Sequence, residues 1–298
     1  MKILVAGSTG MIGSALVSHL KSNGHEVVRL VRRKKNNTDE LTWDPYGGSL
    51  PTEHFDGVDA VINLCGDNIS SSRWTEHKKQ KILQSRIRTS RLIADTLCKL
   101  ENPPKVFLNA SAVGYYGNKT EKKTTEKDSP GEGFLAKVCQ EWEAATESAI
   151  GSGARVVNLR TGVVLSKKGG ALGKMLLPFK LGLGGVIGSG KQMVSWIAID
   201  DLVRIILHCL VTDSLRGPVN AVTPYPVTNR ELTKTLGSVL KRPTILPMPA
   251  FAARLVFGEM ADELLLCDCD VYPEKLLQSG YAFELPHLKE ALKHLLKK

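Results

Sequence analysis

Several features that would each fix a protein's class are missing from this sequence. Nowhere does it string together the roughly 18 apolar residues of a membrane helix. Aromatic residues make up only 6% of its 298 positions. There is no CxxC pair, and Cys65, Cys98, Cys139, Cys209, Cys267 and Cys269 lie scattered, without the paired Cys and His spacing of a zinc motif. That spacing argues against a zinc site or any other metal site, and for reduced, buried thiols. No internal repeat and no low-complexity linker occurs. The opening MKILVAGSTG turns to glycine directly after KILVA, too early for the apolar core of a signal peptide. A first strand and a cytoplasmic protein are the expectation.

What is present is a hydrophobic share of 42%, enough to build a large core, and a net charge of +10 with a pI near 9.3. The basic clusters are RRKK (32–35), HKKQK (77–81), KK (122–123), KK (167–168) and the C-terminal KK. Such a surface attracts anions. The clusters lie far apart and lack interleaved aromatics, so no nucleic-acid partner is expected, and no membrane partner. A small-molecule substrate is expected, and the oligomeric state stays open.

Short apolar runs alternate with helical patterns along the first 160 or so residues. KILVA (2–6), EVVRLV (26–31), DAVINL (59–64), KVFLNA (105–110) and ARVVNL (154–159) read as strands buried on both faces. Between them, 11–24, 75–100 and 134–150 read as helices. Strand, helix, strand implies a parallel sheet with right-handed crossovers, an α/β doubly wound Rossmann-like fold. After residue 165 the pattern loosens. Residues 169–192 hold eight glycines, so a helix near 172–182 and then a loop are expected. Further helices are expected at 200–211, 228–243, 249–259 and 285–298, a strand at 218–222, and helix and turn between 262 and 283. Residues 1–165, with 197–222 returning to them, form the expected nucleotide-binding domain. Residues 166–196 and 223–298 form the expected, mainly helical, substrate lobe.

GSTGMIG (7–13) follows the first strand and opens the first helix. In that position Gly7 permits the turn, Gly10 lets a pyrophosphate approach the backbone, and Gly13 lets helix and strand pack closely. Thr9, Met11 and Ile12 complete the loop, whose free N–H groups face the phosphates. The second strand runs into Arg32 and Arg33, with no acid before Asp39. An acid there would repel a ribose 2′-phosphate, whereas a guanidinium grips it in two-pronged fashion. NADP(H) is therefore the expected cofactor, with Arg32 the primary contact and Arg33 a secondary one.

GSTGMIG, NLCGDNI (63–69), SRIRTSRL (85–92) and ASAVGYYG (110–117) together resemble the short-chain dehydrogenase/reductase superfamily, in its extended epimerase-like branch. RWTEHKKQKILQSR (73–86), LLPFKLGLGGVIGSGKQ (176–192), WIAIDDLV (196–203) and LLQSGYAFELPHLKEAL (276–292) narrow this. They resemble an atypical "epimerase family protein" group, sometimes labelled cell-division-inhibitor-like. The resemblance covers essentially the whole chain. It implies that Leu64 and Cys65 line the adenosine or ribose side of the cofactor and that Arg86 reaches it.

Hydride transfer in that superfamily implies a Ser, and a Tyr and Lys spaced YxxxK on a helix, where i and i+4 share a face. Ser111 matches the serine. Lys137 lies in the expected helix, but four residues before it stands Gly133, and SPGEGFLAKVCQEWEAA contains no tyrosine. The formal pair Tyr115–Lys119 spans Gly117 and Asn118 and reads as a loop. Tyr115 and Tyr116 are the substitute acids to consider. Three readings follow: an NADP-dependent oxidoreductase, an epimerase or lyase using tightly held NADP, and a non-catalytic NADP-binding regulator. Met175, Phe179, Met193 and Trp196 are candidates for a pocket wall, and Asp200 and Asp201 for capping the helix that follows. No Arg pair stands out as a clamp for a nucleotide sugar.

Overall fold

A computed structural model describes residues 1–297, with the side chains of residues 120–122 left aside. Lys298 of the C-terminal pair and the Lys122 side chain of the KK cluster thus lie outside the described residues. Seven strands form one parallel sheet: β1 (Lys2–Ala6), β2 (Glu26–Val31), β3 (Glu40–Thr42), β4 (Ala60–Asn63), β5 (Val106–Ala112), β6 (Arg155–Thr161) and β7 (Gly217–Ala221). Their order is β7-β6-β5-β4-β1-β2-β3, with every neighbouring pair parallel. The chain winds outward from β1 to β3, then crosses back to place β4 on the other side of β1. The switch point therefore falls between β1 and β4, where open α/β sheets leave a crevice beyond their strand ends.

The apolar runs explain the layers. Ile3, Val5, Ile62, Leu108 and Leu159 point to one face, and Leu4, Ala6, Val61, Phe107 and Val156 to the other. Helix α1 (Met11–Ser22) packs on the first face beside α5 (Ile199–Val211). Helix α2 (Glu76–Leu97) covers the second and is capped by the Thr75 hydroxyl, which accepts the Lys78 N–H at 3.2 Å. Helix α3 (Phe134–Ala144) lies beside it.

The longer helices beyond these are α4 (Gly170–Lys180), α6 (Asn229–Leu240), α7 (Ala250–Phe257) and α8 (Leu288–Leu296). Leu172 and Phe179 of α4, Leu232 and Leu236 of α6, and Leu288 and Leu292 of α8 belong to the same apolar cluster as the sheet's first face. That part of the expected lobe is thus sealed onto the sheet. The structure adds to or departs from the expectations at three places. The helix expected over 134–150 breaks after Ala144 and resumes only as a short turn at Ser148–Gly151. β3 carries no strand-like run of its own and pairs because β2 offers it an edge. Between 262 and 283 the chain also forms a strand, Cys269–Val271, which pairs in parallel with Lys119–Thr124. No described helix is long and apolar enough to cross a membrane.

Candidate functional site

The glycine loop sits at the switch point. Gly7 has φ +80°, and a Cβ on it would stand 2.7 Å from the Leu64 carbonyl carbon and 3.0 Å from the Cys65 nitrogen. A Cβ on Gly13 would fall 2.2 Å from the Gly7 oxygen. Both glycines are demanded by packing. Gly10 differs. Its backbone is extended in an ordinary way, φ −71° and ψ 172°, and a Cβ would meet only the Gly7 oxygen, at 3.5 Å. Nothing among the described residues requires glycine there, so the requirement points outward. The α1 N-terminus has no side-chain cap and no acid in its first turn, which leaves the N–H groups around Met11 and Ile12 and its partial positive charge free for an anion. Ser8 adds a buried hydroxyl with no partner among the described residues.

At the end of β2 the charges are sorted. Asp39 accepts from Arg29 at 2.7 Å and from Lys21 at 2.9 Å. Glu40, fully buried, takes both prongs of Arg33, at 3.0 and 2.7 Å, and the Asn36 N–H at 2.9 Å. The Arg29 and Lys21 hydrogen bonds hold Asp39 down at about 2, and the Asn36 N–H together with Arg33 holds Glu40 at about 2. Both nearby acids are thereby neutralised. Arg32, exposed beside them, has no hydrogen-bond or ion-pair partner among the described residues. Arg33 does not share that freedom, since its fork is committed to Glu40.

The loop after β4 runs directly over the glycine turn. Leu64 and Cys65 meet Gly7 through their backbone, and burial pushes the Cys65 thiol up to about 12. The loop is stapled to α2 by Lys78, whose buried ammonium binds Asp67, the Asn68 carbonyl at 2.8 Å and the Ser71 hydroxyl at 2.7 Å. Arg86, two turns further along α2, lies under Gly66, where a Cβ would come within 3.1 Å of its guanidinium carbon. Its Nη1 donates to Asp67 O and Ile82 O, and burial lowers its pKa.

At the end of β5 the candidate catalytic residues separate. Ser111 is buried, and its hydroxyl donates to Glu143 Oε1 at 2.6 Å. Glu143 also takes Arg160 Nε and Nη2, each at 2.8 Å. Arg160 Nη1 donates to the Tyr116 hydroxyl at 2.9 Å, which donates to Asn220 Oδ1 at 2.8 Å. Tyr116 is fully buried, and that burial pushes its phenol up to about 12. Tyr115 is half-buried, with the Arg160 guanidinium 3.4 Å from its ring centre and its hydroxyl unpartnered among the described residues. Lys137 stands apart on the outer face of α3, its side chain 74% exposed, near only Glu141. The helix face turned toward β5 carries Leu135, Cys139 and Glu143 instead. Leu135 and Cys139 lie against Gly114, and burial holds the Cys139 thiol at about 12. Of the four candidates Ser111, Tyr115, Tyr116 and Lys137, the first three gather around Arg160 and Glu143, and Lys137 stands apart from them.

The pocket-wall candidates are also redistributed. Trp196 and Phe179 are core, the Trp196 indole N–H donating to Tyr225 O at 3.2 Å, and Met175 packs against that core. Met193 is half-buried, its N–H bound to Asp268 at 2.8 Å. Asp200 and Asp201 do not cap α5. Asp201, fully buried, binds the Glu284 and Leu285 N–H groups at 3.0 and 2.9 Å and the Tyr281 hydroxyl at 3.2 Å, while Asp200 meets His294 at 3.0 Å.

A polar ladder, not among the sequence expectations, crosses the sheet. Asn63, Asn109 and Asn158 stand at one register across β4, β5 and β6, with Asn63 donating to Asn109 at 2.9 Å and to Ser90 at 3.0 Å. The repeated Asn near each strand's end was the available signal. Glu263, also outside those expectations, accepts the Phe134 and Leu135 N–H groups at 3.1 Å each and so caps α3 from far along the chain.

Comparison with known proteins agrees with the fold and with an NADP(H) cofactor. Residues 3–226 match the model of the NAD dependent epimerase/dehydratase family, and residues 248–295 match a domain of unknown function, DUF1731. Epimerase family protein ML0860 of Mycobacterium leprae is 44% identical over 98% of this chain and 94% of its own. The crystal structure of human epimerase family protein SDR39U1 (isoform2) with NADPH superposes with a TM-score of 0.89, at 38% identity, covering 99% of both chains. A nucleoside-diphosphate sugar epimerase from Corynebacterium glutamicum gives 0.82 at 32% identity, covering 99% of this chain and 58% of that one.

Proposed function

The chain belongs to the NAD dependent epimerase/dehydratase family, and from that premise we propose that it is an NADP(H)-dependent oxidoreductase acting on a small carbonyl or hydroxyl substrate. One observation carries the reading. Arg32 has no partner among the described residues at the end of β2, while both neighbouring acids are paired with other cations. That arrangement favours a 2′-phosphate and removes what would repel it. The human relative solved with NADPH supports the same cofactor. Gly7, Thr9, Gly10, Met11, Ile12 and Gly13 would hold the pyrophosphate, and Leu64 and Cys65 the adenosine side through their backbone. The bound cofactor would supply or accept a hydride. Tyr115 is the hydroxyl left to hold a proton at the substrate oxygen, since the Ser111 and Tyr116 hydroxyls are committed to Glu143 and Asn220.

The test is NADPH consumption across a panel of aldehydes and ketones. Turnover that falls about 100-fold in Tyr115→Phe is the expected result. Absence of consumption on every member of the panel sinks the reading. The outcome would then favour a non-catalytic NADP-binding protein, for which Leu135 and Cys139 on the inward face of α3 already speak.

A further inference from the structure

Large apolar side chains stand out in water along one stretch of the surface. Leu177 on α4, Leu181 one turn later and Leu183 just beyond are each more than half exposed. Between the last two, a Cβ on Gly182 would stand 3.7 Å from the Pro243 ring, so this turn adjoins the segment that carries Ile245. Met248 ties that segment to the chain after α4. Its N–H donates to Val186 O at 2.8 Å, and its carbonyl accepts the Gly188 N–H at 2.9 Å. Helix α7 starts two residues later. Its Ala253 is fully buried, while Phe251 and Leu255, one turn apart on the opposite side, are 73% and 74% exposed. Single exposed apolar residues are ordinary, but six on adjoining elements mark a surface that meets something.

The charge on this face has one sign. No acid occurs between Glu147 and Asp200 or between Glu231 and Glu259, the two stretches that build it, and both supply bases. Lys180 directly precedes Leu181, and Lys241 and Arg242 directly precede Pro243. None of these three side chains has a partner among the described residues. The bordering acids are taken, Asp262 by Arg254 at 2.9 Å and Glu259 by Lys79 at 3.1 Å. These bases lie outside the clusters whose dispersal in the sequence argues against a membrane partner, and the fold brings them together from two distant segments. We propose that this face, made by the end of α4, residues 243–248 and α7, docks peripherally on a membrane surface that carries anionic lipid. The Leu, Ile and Phe tips enter the acyl boundary, and the long basic side chains leave their charge among the headgroups. A second copy of the chain fits worse. In a two-fold pair the patch meets itself, and Lys180, Lys241 and Arg242 find no free acid to answer them. An acidic protein would answer the charge, but protein partners are anchored chiefly by Trp, Tyr and Arg, with Leu under-represented, and four of the six tips here are Leu.

The experiment floats the full chain with phosphatidylcholine vesicles that either lack phosphatidylglycerol or contain it as about one third of the lipid. Wild type should bind the anionic vesicles, less so as salt rises, and leave the neutral ones largely free. Phe251→Ser with Leu255→Ser should lower the vesicle partition coefficient about 10- to 100-fold. Lys241→Gln with Arg242→Gln should lower it about tenfold and flatten its salt dependence. Both double variants should keep the NADPH Kd within about twofold, as folded proteins with an intact crevice. The charge variant carries the test if the apolar one does not fold. The proposal is overturned by no binding to anionic vesicles, by equal binding to neutral ones, or by binding that both variants leave intact. The last would move the contact to another basic cluster. Two further results overturn it in a protein that ignores vesicles. A dimer in sedimentation velocity, dissociated by the apolar variant, would assign the face to a second copy. Binding of polyglutamate, lost in the charge variant, would assign it to an acidic protein.

Discussion

Gly10, Gly13 and Arg32 show how differently single residues serve one crevice. Gly13 has no room for a methyl, because the Gly7 oxygen would stand 2.2 Å away, whereas Gly10 has room at 3.5 Å. Gly13→Ala should therefore destabilise the fold by about 2 kcal/mol or more, read as a lower urea midpoint. Gly10→Ala should leave that midpoint unchanged and weaken NADPH binding, because its methyl would fill space facing the ligand rather than the core. Equal losses of stability in the two variants would refute the distinction. Arg32→Ala should raise the NADPH Kd about 10- to 100-fold, the loss of a charge-assisted pair, and leave the NADH Kd nearly unchanged. An unaltered NADPH preference would show that another cation reads the 2′-phosphate.

Helix α3 illustrates how an element can depend on a distant carboxylate. It begins after Gly133, whose φ of +104° suits glycine and whose missing Cβ makes room for Glu263 Oε1, 2.5 Å from where that atom would stand. The glycine, which occupies the place a YxxxK helix gives to tyrosine, thus has a packing reason of its own. With no side-chain cap within α3, Glu263 supplies both the hydrogen-bond acceptor and the charge favoured at a helix N-terminus. Glu263→Gln should cost about 1 kcal/mol, and amide hydrogen exchange should rise in the first turn of α3 before it rises elsewhere. Uniform loss of protection along α3 would show that the carboxylate is not acting as a local cap. Asp201 plays a comparable part for the segment 281–285, whose backbone N–H groups it holds from α5.

At the scale of the whole molecule, the electrostatics bear on acid stability. Asp39 and Glu40 are held at about 2 in the folded chain, against roughly 4 for free carboxylates. A folded pKa below the unfolded one means that their stabilisation is complete above about pH 4 and is lost as the pH falls toward 2. Urea midpoints measured from pH 5 to pH 2 should fall, and the slope should be shallower in Arg33→Met, which removes the fork from Glu40. An identical slope in the variant would show that other groups govern acid unfolding. The same ion pairs serve the crevice, since they absorb the acids that would otherwise compete for Arg32. The sheet is legible in the sequence because its strands are buried on both faces and therefore appear as continuous apolar runs. β3 and the strand Cys269–Val271 are not legible, because each pairs through backbone offered by a neighbour rather than through a pattern of its own.

The sequence by itself determines the parallel sheet, the glycine loop at its first turn and the missing tyrosine, because periodicity and local spacing are properties of adjacent residues. It also places Arg32 and Arg33 side by side with nothing to tell them apart. Only the tertiary structure separates them, by folding Glu40 back onto Arg33. It likewise decides that Ser111 and Tyr116 are spent on Glu143 and Asn220 and that Lys137 faces outward. The physical reason is common to all of these. Whether a polar group is free to act depends on which partner reaches it first in three dimensions, and those partners come from elements far apart in the chain.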